Sequence, residues 1–387
     1  MNRLALTTLI SISIISNNTF ATDDDTLLIW GARGVDQLKD IAADFERDFG
    51  IKVMIENPSE PEKQFTVVAA SGKGPDIFFF AHDRYGEYVN GGLLREIKPG
   101  KEILQANSDI GWEAMKYNGI TYGYPISVEA VSLVYNKDLI AQPPENFEDM
   151  YALQQQLAAN GKETIAWAYS NVYFSHPLLA ADGGYVYGKK NGVYDTSDVG
   201  VDSPGYIEGG RFIKQAIDRG LLAKDTDYGV MDAKFNAGKV AMMINGPWSW
   251  GNAVKNNINF GVVPLPKLNG KHPAPFVGVW GAVINANSKN PEAAVEFLEH
   301  YLLTEAGLKR WNKTGELGAV TNINYMKELA QDANIKAIAE SAAYGTPMPN
   351  IPEMAKYWDA VQTAILSFTS GRQSVEDALK AAADKLR

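Results

Sequence analysis

There is no cysteine in this chain. That excludes a thiol nucleophile, a thiolate metal site, a disulfide framework and an N-terminus anchored through a lipidated cysteine. Histidine is scarce. His82, His176, His272 and His300 lie far apart, none in a His-Glu-x-x-His pattern, so packed or surface histidines fit better than zinc ligands or bases. Neither Gly-x-Ser-x-Gly nor Gly-Lys followed by Ser or Thr occurs, which removes the nucleophile elbow and the phosphate-cradling loop. Positive charge is outweighed, with 36 Lys and Arg against 46 Asp and Glu. A net charge of −10 with no basic cluster offers no field for nucleic acid or anionic lipid. No metal, cofactor or catalytic residue is expected from these absences.

The first 21 residues read as a removable leader. Arg3 is a short positive start, residues 4–15 are mostly apolar, and Thr19-Phe20-Ala21 supplies the small residues a signal peptidase inspects. The apolar run falls short of the ~18 residues a membrane span needs, and no later run reaches that length. Cleavage after Ala21 removes Arg3 and takes the net charge from −10 to −11. The expected location is the periplasm. Export usually invites disulfides, yet a chain of 387 residues buries enough core to fold without them.

Past the leader, the pattern alternates. Leu27-Leu28-Ile29-Trp30 predicts a strand, and Gly31 and Gly34 the turn after it. Val35, Leu38, Ile41, Ala42, Phe45 and Phe49 recur at helical spacing until Gly50. A strand over 51–55, a helix over 64–70 and the apolar run Ile77-Phe78-Phe79-Phe80 follow. This β-α-β-α-β rhythm predicts a parallel sheet covered on both faces. Further strands are expected over 131–135, 240–244, 260–264 and 276–285, with a Gly- and Tyr-rich loop running to about Gly205. Pro291 opens one late helix, and Ser374 with Asp377 caps the last.

The third strand ends in His82-Asp83-Arg84, at the carboxyl edge where open α/β sheets bind ligands. Aromatics point the same way. Most of the 8 Trp, 18 Tyr and 15 Phe belong to the core, as Trp30, Trp250 and Trp311 do in this reading. Trp248 follows the Gly246-Pro247 turn and Trp358 opens a helix, so both sit at element boundaries. Flat rings there suit the C–H faces of pyranose sugars, while carboxylates and guanidinium groups suit their hydroxyls. Paired carboxylates also serve glycoside hydrolases, so an enzyme using two of Asp83, Glu129 and Glu62 is the rival reading.

With the blocks Gly74-Pro75-Asp76-Ile77, Ala81-His82-Asp83-Arg84, Val128-Glu129-Ala130 and Met348-Pro349-Asn350-Ile351-Pro352 in this order, the chain from about Leu27 onward resembles the periplasmic maltose/maltodextrin-binding proteins of ABC sugar importers. The similarity is also carried by Tyr124-Pro125-Ile126, residues 132–139 and 180–185, and Asp225-Thr226-Asp227-Tyr228. Residues 244–248, Pro275 to Val279 and Ser370-Gly371-Arg372-Gln373 extend it.

The resemblance implies an α/β, two-lobed periplasmic-binding-protein (Venus-flytrap) fold with a hinge of crossing strands. One lobe would hold residues 22–127 and 282–332, and the other 132–276 and 333–387. The crossings would fall near 128–131 and 277–281, where Gly278 can absorb a change in φ/ψ. It also implies a site of Arg33, Glu62, Phe80, Asp83, Arg84, Glu129, Asn171, Tyr173, Tyr228, Trp248, Met348 and Trp358 around maltose, a maltodextrin or a related oligosaccharide. The partners it implies are the membrane subunits of an ABC importer and, for the closed form, a chemoreceptor; the protein is expected to act as a monomer.

Several positions depart from the family pattern. Two residues are missing from the first turn, where Ala32 stands in place of an Asp and Arg33 in place of a Lys. Phe80 replaces a Trp, Asn171 a Glu, Val172 a Pro, Asp359 a Tyr and Gln362 an Arg. Each lost charge-assisted hydrogen bond is worth ~1.5–3 kcal/mol when nothing replaces it. A gluco-oligosaccharide as a class is therefore better supported than maltose itself.

Overall fold

Thr26–Trp30 is an apolar strand flanked in parallel by Lys52–Glu56 on one side and Ile77–Ala81 on the other. The computed structural model describes residues 26–191 and 193–387, so the expected leader and its cleavage at Ala21 lie outside the described residues. The parallel trio follows from its connections, the helices Val35–Phe49 and Pro61–Ala69, as the alternation predicts. Gly31 and Gly34 both take left-handed φ, and a side chain at Gly31 would overlap the Phe79 carbonyl.

On the far side of Ile77–Ala81 the sheet turns antiparallel. Phe276–Ile284 pairs with Ile77–Ala81 along one edge and with Gly123–Glu129 along the other, and Ala319–Val320 closes that side. Val279 and Val283 of the long strand face one apolar cluster, with Phe65, Phe78 and Tyr88. Trp280, Ala282 and Ile284 face another, with Leu38, Phe45 and Trp311. Period-two alternation fills both faces of the sheet from one strand.

A second sheet has the order Phe260–Val263, Ser132–Asn136, Val240–Asn245, Glu163–Ala166. Its core takes in the helices Pro204–Asp218, Met354–Thr369 and Val375–Leu386. Ser374 caps the last helix, its Oγ accepting from Asp377 N at 3.0 Å. The fold is two-lobed and mixed α/β, with the chain passing between sheets at residues 130–131, 264–275 and again before Thr346–Pro347, which pairs with Phe276–Val277.

Two local expectations change. The Gly- and Tyr-rich stretch is not all loop, because Tyr187–Lys190 and Val193–Val199 form an antiparallel hairpin. Asn191, which follows the first of these strands, has a left-handed φ of 53°, as tight turns between twisted strands require. The helix expected from Pro291 widens into π geometry over Phe297–Leu302, which turns Glu299 inward to accept from Tyr124 Oη at 2.6 Å. Gly278 is not among the left-handed glycines; it lies in the ladder opposite Glu129, where an added Cβ would meet Met348 Cε at 3.3 Å. Its small size serves packing.

Two of the histidines are structural. His82 is buried, accepting at Nδ1 from Val279 N at 3.0 Å and bonding the Met348 carbonyl through Nε2 at 3.1 Å. It thereby ties two of the strand passages together. His176 stacks on Phe276 with ring centroids 3.5 Å apart and bonds Tyr357 Oη at 3.0 Å. Burial pulls the His82 ring down to about 4 and the His176 ring to about 3.

Both rings stay neutral in the folded chain while the unfolded chain binds protons below pH 6.5, so stability is lost as pH falls from 6.5 toward 4. Each contributes on the order of 3 kcal/mol of this loss by pH 4. His82→Gln keeps a donor and an acceptor but does not titrate. Urea unfolding at pH 7 and pH 4.5 is expected to show a smaller acid-induced loss in that variant than in the wild type.

Candidate functional site

Between the lobes lies a cleft of about 760 Å³. All twelve residues singled out from the sequence line it. The larger-sheet lobe contributes polar groups at the ends of its strands. After Ile77–Ala81 the chain tightens into a single 3₁₀ turn, His82–Arg84, which is pinned by the His82 bonds and carries Asp83 and Arg84 into the cleft. Asp83 is buried and accepts from Trp358 Nε1 at 3.0 Å, a hydrogen bond that joins the two lobes. Burial pushes its carboxyl up to about 6, although the Arg84 guanidinium and the indole N–H both favour the charged form.

Arg84 Nη1 donates to Glu87 at 2.8 Å. Phe80 stacks on Phe78 with centroids 5.4 Å apart and is half-buried at the cleft wall. Glu62 sits in the first turn of Pro61–Ala69; the residue before that helix, Glu60, holds a left-handed φ of 46° and pairs with Lys63 at 2.6 Å. Glu129 ends the strand Gly123–Glu129. Its carboxylate accepts both Nη atoms of Arg33, Nη2 at 3.1 Å, and Ser127 Oγ at 3.0 Å.

The facing lobe contributes rings. Gly246-Pro247 turns the chain after Val240–Asn245, and a side chain at Gly246 would overlap the Trp248 ring. Trp248 lies 6.0 Å from Tyr173 and 6.3 Å from Phe174, whose ring is 5.8 Å from Tyr228. Trp358, near the start of Met354–Thr369, packs edge-on to Phe276 at 5.5 Å. Met348 is buried beneath them. The oxygen of Asn171 is used internally, accepting from Tyr173 N at 3.1 Å to cap the helix Val172–Leu179.

Trp280, Lys63 and Phe174 line the cleft without having been singled out, and so do Asp359 and Gln362, noted only as departures. Trp280 lies in an apolar strand, where nothing in the residue pattern sets it apart from the core. Among the described residues no group of three or more His, Asp or Glu could hold a metal ion. No helix there is long and apolar enough to cross a membrane.

A cleft held between two α/β lobes joined by crossing strands is the architecture of a solute-binding protein. The pattern of the bacterial extracellular solute-binding protein family matches residues 31–308, and the chain belongs to that family. It is 31% identical to the galactooligosaccharide-binding protein of Bacillus subtilis over 358 residues, 90% of this chain and 85% of that one. The maltodextrin-binding protein of the same organism is 30% identical, over 86% of this chain and 81% of its own. The maltooligosaccharide ABC transporter solute-binding lipoprotein of Streptococcus pneumoniae is 29% identical, over 88% and 83%.

A carboxyl whose folded pKa is raised from 3.8 to about 6 adds stability that is full below pH 3.8 and gone once the pH has passed 6. Asp83→Asn keeps an acceptor for Trp358 and removes the buried charge. Urea denaturation of the ligand-free protein is expected to show the variant more stable than the wild type by about 1–3 kcal/mol at pH 7, a gain that shrinks at pH 4.

Proposed function

We propose that the protein captures a maltodextrin or a related oligosaccharide in the interlobe cleft and delivers it to the membrane subunits of an ABC importer. What carries the reading is the division of the cleft: Asp83, Arg84, Glu129 and Glu62 on one wall, Tyr173, Trp248, Trp358 and Tyr228 on the other. Hydroxyls need the first set and the C–H faces of a sugar ring need the second. The names of the relatives support the same class of ligand. The Glu129 carboxylate is held by Arg33 and Ser127, so little ordering of that side chain is left to the binding step.

In this reading residues 22–127 with 282–332 and residues 132–276 with 333–387 move as bodies about 128–131 and 277–281. Sugar contacts on both walls shift the population toward the closed form, and no bond is made or broken. The protein acts as a periplasmic monomer after loss of residues 1–21, and its closed form is the one that docks. One observation favours a glycosidase as the second reading, because a carboxyl raised to about 6 by burial is what an acid catalyst requires.

Maltose, maltotriose, a galacto-oligosaccharide, trehalose and sucrose are the ligands to titrate, followed by tryptophan fluorescence and calorimetry. At least one of the first three is expected to bind, and Trp248→Ala or Trp358→Ala to weaken it at least about tenfold, ~1.4 kcal/mol. Silence across the panel sinks the reading. Glucose released from maltotriose by the wild type but not by Glu129→Gln moves the assignment to the enzyme.

A further inference from the structure

The Arg33 turn is fixed from three sides. Its carbonyl accepts from Trp311 Nε1 at 2.7 Å, the Ala32 carbonyl from Asn57 Nδ2 at 2.8 Å, and Gly34 N donates to Glu316 at 2.8 Å. From that anchor the guanidinium enters a slot between two indoles. Its Cζ lies 4.1 Å from the ring centroid of Trp280 and 5.3 Å from that of Trp248. Each Nη atom gives one N–H to Glu129, and the two side chains are only 19% and 6% exposed. Trp280 belongs to the crossing strand of the larger sheet, Trp248 to the opposite lobe, and Glu129 to the point where the chain leaves the larger sheet.

Only a planar fork can do all of this at once. A guanidinium stacks flat on a ring while its edge pairs in two places with a carboxylate; an ammonium is a hydrated point charge that does neither in a fixed plane. Arg33, which the family resemblance treats as a contact to the sugar, gives two of its five N–H groups to a residue of the protein itself.

We propose that Arg33 and Trp280 form a clamp that positions the Glu129 carboxylate and the Trp248 ring, and that Arg33 sets affinity and selectivity through them. The proposal rests on the reading of the cleft as a sugar site. Trp280 is the residue that makes arginine, rather than lysine, the working side chain at position 33. Arg33 is a positioning residue, and Trp280 is a determinant of specificity without being an anchor for the ligand.

The test is a double-mutant cycle of Arg33→Lys and Trp280→Leu on the full chain, with Trp280→Phe in place of Trp280→Leu should the latter not fold. Affinity for the best-binding sugar of the panel is measured by calorimetry. Melting temperature and the near-ultraviolet circular dichroism of the indoles are measured without ligand.

With Trp280 present, Arg33→Lys is expected to weaken binding at least about tenfold and to change the indole spectrum. In the Trp280 variant the same change is expected to cost less than about threefold. An equal loss in both backgrounds makes Arg33 a direct contact and overturns the clamp. So does a lowered melting temperature with affinity unchanged, which is a merely structural role. Should no sugar bind the wild type, the functional reading fails by itself, and the ligand-free spectra still decide: coupled spectral changes keep the clamp, and independent or absent ones overturn it.

Discussion

The antiparallel pairing of Gly123–Glu129 with Phe276–Ile284 is the constraint on which the architecture turns. The chain leaves the larger sheet after Glu129 and re-enters it at Phe276, so the shared ladder sets these two points side by side. The pairing opposes Gly278 to Glu129, and the lack of a side chain at 278 leaves room for Met348. His82 then bonds the Val279 amide and the Met348 carbonyl, which ties the third strand of the parallel trio to Phe276–Ile284 and to the chain just after Thr346–Pro347. Asp83 and Arg84 are the next residues in the chain. The groups that face the cleft are thus placed by the same hydrogen bonds that hold the crossings together.

This arrangement places buried charge where a solute-binding cleft needs fixed polar groups. Asp83 sits in surroundings that favour its neutral form, and the Trp358 indole N–H is one of the few donors offered to it. Glu129 is deep as well, but it is matched by a guanidinium and a hydroxyl. A buried carboxylate with a satisfied edge costs much less than one without. The two acids of the cleft therefore differ in kind, one compensated inside the protein and the other left short of partners that a polyhydroxylated ligand could supply.

Much of the fold is legible in the residue pattern. The alternation of residues 26–81 demands a parallel trio because helices of that length can only return the chain in the same direction. The hairpin at 187–199 is equally legible, because an Asn-Gly pair in a sequence favours a turn between two strands. The π-widening at Phe297–Leu302 was not, since it depends on Glu299 finding Tyr124 across the core. The site divides the same way. Asp83 and Arg84 were visible at a strand end and Trp248 after a turn, whereas Trp280 reads as one more core residue in an apolar strand until Arg33 is seen lying on its face.

The residue pattern settles which chemistry is available: an acidic, cysteine-free chain, aromatic rings at element boundaries, and a carboxylate beside a guanidinium at a strand end. Those are local properties, set by neighbours in the chain and by hydrophobic period. Tertiary structure alone decided which of these groups meet. Arg33 and Glu129 stand 96 residues apart and Asp83 and Trp358 stand 275 apart, and each pair is joined by a hydrogen bond whose existence depends on strand register and lobe placement. No local rule reaches across such separations, because the free energy that brings those groups together comes from burying two cores elsewhere in the molecule.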